Sequence, residues 1–321
     1  MDEFGMWSTV FVAIEIVVCL LGVFFNALVI LTICKNIYRI SAPSFLILSI
    51  AVSDFLSCSV AVPFSIARHF HKGWPFGMAG CQAHAFLIFL LALVSLSHLA
   101  AISAGKYLTI TKSLSKQSYL TNKAVMLVIL TSWVISLGFS AAPLVVWSRI
   151  YGLEGIRETC SDQQESSFAD KAYFGIVFFA CYVVSLAVVM FCYHRIHDVS
   201  KHIVYNTCQI GGLPAMTMRQ ALLKKHRRSA MYFLTVIACF MLSWSPYAIA
   251  SFLIVLRVKL NPIATSACSV FAKTSLFLNP ILYAIISRKF RRRMVISVPI
   301  TRPNRTVRPA VVPSSVGPLA L

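Results

Sequence analysis

Two ionisable side chains stand inside apolar stretches of the sequence, where a charge is costly. Asp54 follows Ser-Ile-Ala-Val-Ser in one stretch, and Lys273 lies in Phe-Ala-Lys-Thr-Ser in another. Charged groups at such positions are rare and are usually functional. A lysine amine removed from water can act as a nucleophile towards an aldehyde, so Lys273 is the first candidate for covalent chemistry. The alternative is a lysine that pairs with an acid or extends to the membrane surface.

The elements that position these two residues are long apolar stretches. Of the 321 residues, 58% are hydrophobic and 12% are charged, whereas about 25% of the residues of a soluble domain are charged. This composition argues against a soluble enzyme. Because a membrane-spanning helix needs about 20 apolar residues, we predict an all-α membrane protein, a seven-transmembrane helix bundle in residues 9–286. The predicted spans are residues 9–33, 44–67, 83–104, 124–146, 173–192, 232–256 and 262–286.

Prolines lie inside several of these spans. In a soluble helix an internal proline removes a hydrogen bond and breaks the helix. In a membrane bundle neighbouring helices can bond the backbone groups that the proline leaves free. The spans are therefore retained despite Pro63, Pro143, Pro246 and Pro280.

The distribution of basic residues orients the bundle. The net charge is +19, and most of the 29 lysine and arginine residues follow the first, third, fifth and seventh stretches. By the positive-inside tendency these segments are cytoplasmic. We therefore predict an outer N-terminus (residues 1–8), a cytoplasmic tail (287–321) and a multi-pass membrane protein. A basic inner surface attracts anionic lipid, so the charge indicates no nucleic-acid partner.

Further residues occur in order along the chain, at about one per predicted span. Together they resemble the pattern of the rhodopsin-like G-protein-coupled receptors. This resemblance covers nearly the whole chain and implies a receptor of the plasma membrane rather than an enzyme. The same resemblance implies a short amphipathic eighth helix in the segment 287–321. It also implies a polar network in the bundle core that includes Asn26 and Asp54. No Cys-x-x-Cys spacing occurs, and no metal site is predicted. The residues that carry the resemblance are Asn26, Asp54, Cys81, Trp133, Trp244, Pro246 and the Asn-Pro-Ile-Leu-Tyr motif at 279–283.

Within that family, the segment around Lys273 is similar to the retinal-attachment segment of opsins. Lys273 precedes Asn279 by six residues, which places it about 9 Å further out along a helix. The resemblance implies that retinal, 11-cis or all-trans, is bound to Lys273 as a Schiff base. Trp244 and Tyr247 would stack along the polyene and Ala248 would leave space for it, whereas the alternative is that these aromatics are ordinary core.

A protonated Schiff base needs an anion nearby. Vertebrate visual pigments have a glutamate three residues after the cysteine of the third helix, but here that position is His84. Glu154, six residues before Cys160, is similar to the loop acid that serves as counterion in many non-visual opsins. Glu158 could compete with it, and either acid could simply be solvated. Opsins also join the cysteines that match Cys81 and Cys160, which would hold this loop over the third helix.

The cytoplasmic residues that form the G-protein switch in the family are only partly present. The family motif Asp/Glu-Arg-Tyr is replaced by Gly-Lys-Tyr, and Ser185 stands where most members have a proline in the fifth helix. Coupling to a heterotrimeric G protein could therefore be weak. Few hydroxyl groups follow residue 286, which leaves an arrestin partner open. The switch residues that match are Lys106, Tyr107, Tyr193, Asn279, Pro280 and Tyr283.

These features lead to one function and two rivals. The sequence favours a non-visual, light-sensing receptor in which isomerised retinal moves the sixth helix. It resembles most the neuropsin, peropsin and retinal G-protein-coupled receptor branch, because Lys-Gly-Trp-Pro-Phe-Gly precedes Cys81 and the helix-three glutamate is missing. The first rival is a retinal photoisomerase or retinoid-binding opsin with weak or no coupling. The second is a receptor for a diffusible ligand with a chance lysine at position 273.

Overall fold

The computed structural model describes residues 3–35, 41–71, 74–111, 121–146, 151–154, 159–162, 168–210, 213–256 and 258–286. The predicted eighth helix and tail, residues 287–321, lie outside these ranges. The described helices form the predicted bundle, and each predicted span falls on a helix or on consecutive helices. The helices are α1 (Glu3–Cys34), α2 (Pro43–Leu56), α3 (Val62–Phe70), α4 (Gly77–Thr111), α5 (Asn122–Val146), α6 (Phe168–Val177), α7 (Val184–Ile210), α8 (Leu213–Val255), α9 (Pro262–Lys273) and α10 (Ser275–Ile286).

The second and fifth spans each contain a π-helical segment. Ser57–Ala61 joins α2 to α3, and Phe178–Val183 joins α6 to α7. Such single π turns inside helices are often found at functional positions. The fifth span is therefore irregular at this segment, although Ser185 rather than a proline follows the segment in α7.

The seventh span consists of two short helices. α9 ends at Lys273, Thr274 is a turn, and α10 begins at Ser275. Six helices of the described part of the chain are long and apolar enough to cross a membrane. The seventh predicted span is not among them because neither α9 nor α10 is long enough alone. The helix break thus lies directly beside the lysine that the sequence singled out.

Two of the internal prolines have their effect on the backbone compensated by another helix. Pro143 cannot donate to the carbonyl of Phe139, and that oxygen accepts a hydrogen bond from the Tyr173 hydroxyl at 2.5 Å. Pro280 likewise leaves the carbonyl of Leu276 free, and Asn26 Nδ2 donates to it at 2.8 Å. These contacts are the compensation expected for prolines in membrane bundles.

A short antiparallel hairpin lies in the second outer loop. Strands β1 (Tyr151–Glu154) and β2 (Thr159–Asp162) pair with Leu153 opposite Cys160 and Glu154 opposite Thr159. Both strands contact α4, and β1 also contacts α9. The hairpin, which the sequence did not predict, adds a small β element to an otherwise helical fold and covers the outer part of the bundle near Lys273.

The third span is the central helix of the bundle. α4 contacts α2, α5, α7 and α8, while α1 packs against α2, α9 and α10. The main buried cluster lies in the inner half, where these helices meet. Its most deeply buried members include Val29, Ile50, Leu99, Val236, Ile237 and Tyr283. The outer half is held by smaller clusters and by the polar contacts described next.

Candidate functional site

Lys273 is buried in the bundle and is paired with a carboxylate. Its side chain is the last of α9, and the residue is 4% exposed. The Nζ atom forms an ion pair and a hydrogen bond with Oε1 of Glu15, a residue of α1 that is 3% exposed. The same nitrogen donates to Ser65 Oγ of α3 at 3.4 Å. Lys273 therefore pairs with an acid, which was one of the alternatives to covalent chemistry, and it does not extend to the membrane surface.

Glu15 corrects the interpretation of the ionisable groups in the spans. Asp54 and Lys273 were predicted as the ionisable residues inside the spans and Glu15 was not, although it lies between Ile14 and Ile16 inside the first predicted span. An acid within an apolar stretch was the signal that could have identified it. That Glu15 faces Lys273 was not predictable from this signal, since 258 positions of sequence separate the two residues.

Two further polar residues extend the pair across the bundle. Ser65 Oγ and His84 Nε2 are hydrogen-bonded at 3.1 Å, and both residues are at most 2% exposed. His84, on α4, occupies the position at which the visual pigments have their glutamate. Glu15, Lys273, Ser65 and His84 together form the four-residue cluster of the outer half, with one residue each from α1, α9, α3 and α4.

The geometry of α1 and α9 explains why Glu15 and Lys273 meet. Both helices run inward from the outer face. Glu15 lies 12 residues after the start of α1 at Glu3, and Lys273 lies 11 residues after Pro262, which correspond to about 18 Å and about 17 Å of helix. The two side chains therefore enter the bundle at a similar depth. Asn261 caps α9, since its Oδ1 accepts from the Ile263 backbone N–H at 2.8 Å.

Trp244 contacts the helix break next to Lys273. Its Nε1 donates to Ser275 Oγ at 3.0 Å, and that hydroxyl donates to the Ala272 carbonyl at 2.8 Å. Trp244 also makes an edge contact with Tyr247, with ring centroids 6.2 Å apart. Ala248 follows on α8 and is half-buried. Movement of the break would therefore act directly on α8 through one hydrogen bond.

The polar network of the core is centred on α10. Asp54 accepts from Ser95 Oγ at 3.0 Å and from Asn279 Nδ2 at 3.1 Å. Asn26 donates to the Gly22 and Leu276 carbonyls. Asn26 and Asp54 thus both bond to α10. Among the contacts described for this region, they are connected through that helix and do not bond to each other.

The cytoplasmic side brings three of the predicted switch residues to α8. Lys106 Nζ donates to Ser229 Oγ at 2.8 Å and lies 4.4 Å from the centre of the Phe233 ring. Tyr193 donates to the Ala230 carbonyl at 3.0 Å. The ring of Tyr283 lies edge-on to that of Tyr232, with centroids 6.4 Å apart. Tyr107 instead packs against Phe191 of α7.

The structure describes only part of the predicted disulfide and of the predicted loop counterion. Cys81 is disulfide-bonded and 2% exposed. Its predicted partner Cys160 is on β2, which contacts α4, but the side chains of Cys160 and Glu154 and the whole of Glu158 lie outside the described part. The pairing with Cys160 and the counterion role of either loop acid stay predictions. The backbone places Glu154 at the end of β1.

The chain was compared with known families and proteins. Residues 25–283 match the profile of the family described as 7 transmembrane receptor (rhodopsin family). The chain is 30% identical to Melanopsin-B of Xenopus laevis over 284 residues, which are 88% of the chain and 53% of that protein. It is 32% identical to Melanopsin of Rattus norvegicus over 289 residues, 88% of the chain and 60% of that protein.

These melanopsins are longer than the chain, which spans between half and two thirds of their length. They do not confirm the predicted neuropsin and peropsin branch. In architecture the chain is similar to the crystal structure of squid rhodopsin, with a TM-score of 0.82 and 24% identity over 90% of this chain and 85% of that one. This likeness confirms the seven-helix fold.

Proposed function

The chain belongs to the rhodopsin family of seven-transmembrane receptors, and from this premise we propose that it is a light-sensing opsin that binds retinal through Lys273. The observation that carries the proposal is the placement of Lys273, a buried lysine at the end of α9, opposite a carboxylate. The similarity to melanopsins supports the same function. The proposed location is the plasma membrane, since the protein is a multi-pass membrane protein.

The residues around Lys273 fit a retinal linkage. When bound, retinal would supply a light-absorbing polyene whose shape changes on illumination. Lys273 would hold it, and Glu15 offers a carboxylate within contact of the lysine nitrogen. Trp244 and Tyr247 lie on α8 beside the helix break and would border the polyene. Cys81 secures the outer end of α4 through its disulfide.

The same contacts suggest how the site influences the cytoplasmic side. Ser275 links the break in the seventh span to Trp244 on α8, and Pro246 lies two residues further along that helix. A displacement at Lys273 would alter the Ser275 contact and allow α8 to pivot. The receptor would then shift its population toward a state that engages a heterotrimeric G protein.

Spectroscopy of the reconstituted protein tests the retinal linkage. We expect the wild type, mixed with 11-cis or all-trans retinal in the dark, to develop an absorption band that changes on illumination. Reduction of the linkage should leave retinal attached covalently to the peptide that contains Lys273. Lys273→Ala should abolish this attachment, whereas Lys123→Ala, an exposed lysine of α5, should not. Covalent attachment that survives in Lys273→Ala would contradict the proposal.

A second function is favoured by the environment of Lys106. This lysine replaces the arginine of the family motif and bonds to a serine, and it forms no ion pair with an acid among the residues that the structure describes. A retinal photoisomerase or retinoid-binding opsin with weak coupling would have such a switch. Light-dependent nucleotide exchange on purified G proteins discriminates the two functions. Strong exchange in the light favours the receptor, and retinal isomerisation without exchange favours the second function.

A further inference from the structure

The carboxylate that contacts Lys273 belongs to Glu15 in the first helix, where no counterion was predicted. Both residues are at least 96% buried, and the carboxylate contacts the amine directly. Removing one member of such a pair leaves a buried charge without compensation, which is strongly destabilising. Glu15 and Lys273 therefore depend on each other for charge compensation inside the bundle.

The other buried carboxylate of the described residues is used elsewhere. Asp54 accepts hydrogen bonds from Ser95 and Asn279 in the inner half of the bundle. Asp198, on α7, is partly exposed and lies within ion-pair distance of His194 and His197. Within the described part of the chain, Glu15 is the carboxylate that contacts Lys273.

We propose that Glu15 is the counterion of the Lys273 nitrogen, both as a free ammonium and after retinal is attached. This inference rests on the proposed function for its second half only. When Lys273 reacts, its nitrogen forms a double bond to the aldehyde carbon, and the aldehyde oxygen leaves as water with two of the three ammonium protons. The nitrogen keeps one proton and one positive charge. The charge that Glu15 balances is therefore the same before and after attachment.

Ser65 and His84 act as positioning residues in this arrangement. Ser65 accepts from Lys273 and is hydrogen-bonded to His84 on its other side. The hydroxyl therefore holds the lysine side chain between α1 and α3. A carboxylate at position 84 is not needed to balance the charge, because Glu15 of α1 already contacts the nitrogen.

The first test uses the protein without retinal. Glu15→Gln and Lys273→Met should each lower the melting temperature in detergent, because each leaves the other charge buried alone. The double variant should melt closer to the wild type than either single variant does. Glu154→Gln, a change of the loop acid, should leave the melting temperature within error of the wild type. Additive losses in the double variant would overturn the pairing.

The second test uses the protein with retinal. At neutral pH the wild type should absorb in the visible range, and Glu15→Gln should move the band to the ultraviolet, because the linkage loses its proton when its anion is removed. Glu154→Gln should leave the band in place. Should Glu15→Gln not fold, Glu15→Asp keeps the charge at a greater distance and is expected to shift the visible maximum.

The outcomes separate this inference from the proposed function. A wild type that takes up no retinal at Lys273 contradicts the proposed function, while the melting experiment still decides on the pair. A wild type that binds retinal but absorbs in the ultraviolet contradicts the counterion role of Glu15. The counterion role of Glu15 is also overturned if Glu15→Gln, or Glu15→Asp in its place, absorbs like the wild type. A loss of the visible band in Glu154→Gln alone would assign the counterion role to the loop acid.

Discussion

Asn26 illustrates how a single side chain can compensate for a backbone defect. Pro280 has no N–H, so the carbonyl of Leu276 four residues earlier lacks its helical donor. Asn26 Nδ2 of α1 donates to that carbonyl and also to the Gly22 carbonyl. Gly22 itself lies against Cys58, since a Cβ at position 22 would come within 2.2 Å of its sulfur. One asparagine thus joins α1 to α10 on the inner side of Lys273.

Replacing Asn26 should therefore weaken the bundle. We expect Asn26→Leu to lower the free energy of unfolding by about 1–3 kcal/mol, the usual cost of a buried polar group left without a partner. Thermal unfolding in detergent measures the effect. Thr9→Ala, which removes an exposed hydrogen bond within α1, serves as the control and should be close to neutral. Equal stability of the two variants would show that the Leu276 carbonyl is satisfied in another way.

The helix α8 is hydrogen-bonded to neighbouring helices in both its outer and its cytoplasmic part. Near the outer half, Trp244 bonds to Ser275, and Tyr182 of the fifth span is hydrogen-bonded to Ser245 at 2.5 Å. At the cytoplasmic end, Lys106 bonds to Ser229 and lies against Phe233. The Lys106 contact therefore links α4 to the cytoplasmic part of α8 and opposes its movement away from α4.

We predict that Ser229→Ala releases the cytoplasmic end of α8. Because the Lys106 hydrogen bond is lost, nucleotide exchange in the dark should rise above that of the wild type. Spin labels at the exposed positions of Lys123 and Arg227 should show a wider distance distribution between α5 and α8. Thr235→Val, on an exposed face of the same helix, should change neither measurement. A distance distribution identical to that of the wild type would contradict the role of this contact.

For the whole molecule, the outer hairpin and the bundle depend on each other. β1 contacts α4 and α9, and β2 contacts α4, where Cys81 is disulfide-bonded. The hairpin therefore lies against the two helices that carry Lys273 and His84.

Loss of the disulfide should destabilise the protein and expose the site. We expect Cys81→Ser to cost about 2–5 kcal/mol of stability and to increase the loss of bound retinal to hydroxylamine in the dark. If Cys160 is the partner, Cys160→Ser and the double variant should behave like Cys81→Ser. Cys239→Ser, which removes a thiol outside any disulfide, is the control. Peptide mapping without reductant identifies the partner, and a bond from Cys81 to another cysteine would refute the pairing.

The order of residues alone determines where the membrane helices lie, because apolar stretches of sufficient length must span the bilayer and basic segments stay on the inner side. It also identifies Lys273 and Asp54, since a charge in an apolar stretch is visible without a structure. The family motifs around Trp244 and Asn279 are likewise readable in sequence.

Only the tertiary structure decides which charges meet. Glu15 and Lys273 become partners because α1 and α9 pack side by side and carry them to a similar depth, a relation that no local pattern contains. The same packing places Ser65 between Lys273 and His84. The sequence showed only that position 84 has a histidine instead of a glutamate, whereas the structure shows that this histidine belongs to the buried cluster. The break at Thr274 also depends on packing, since Ser275 at its edge is bonded to both Ala272 and Trp244.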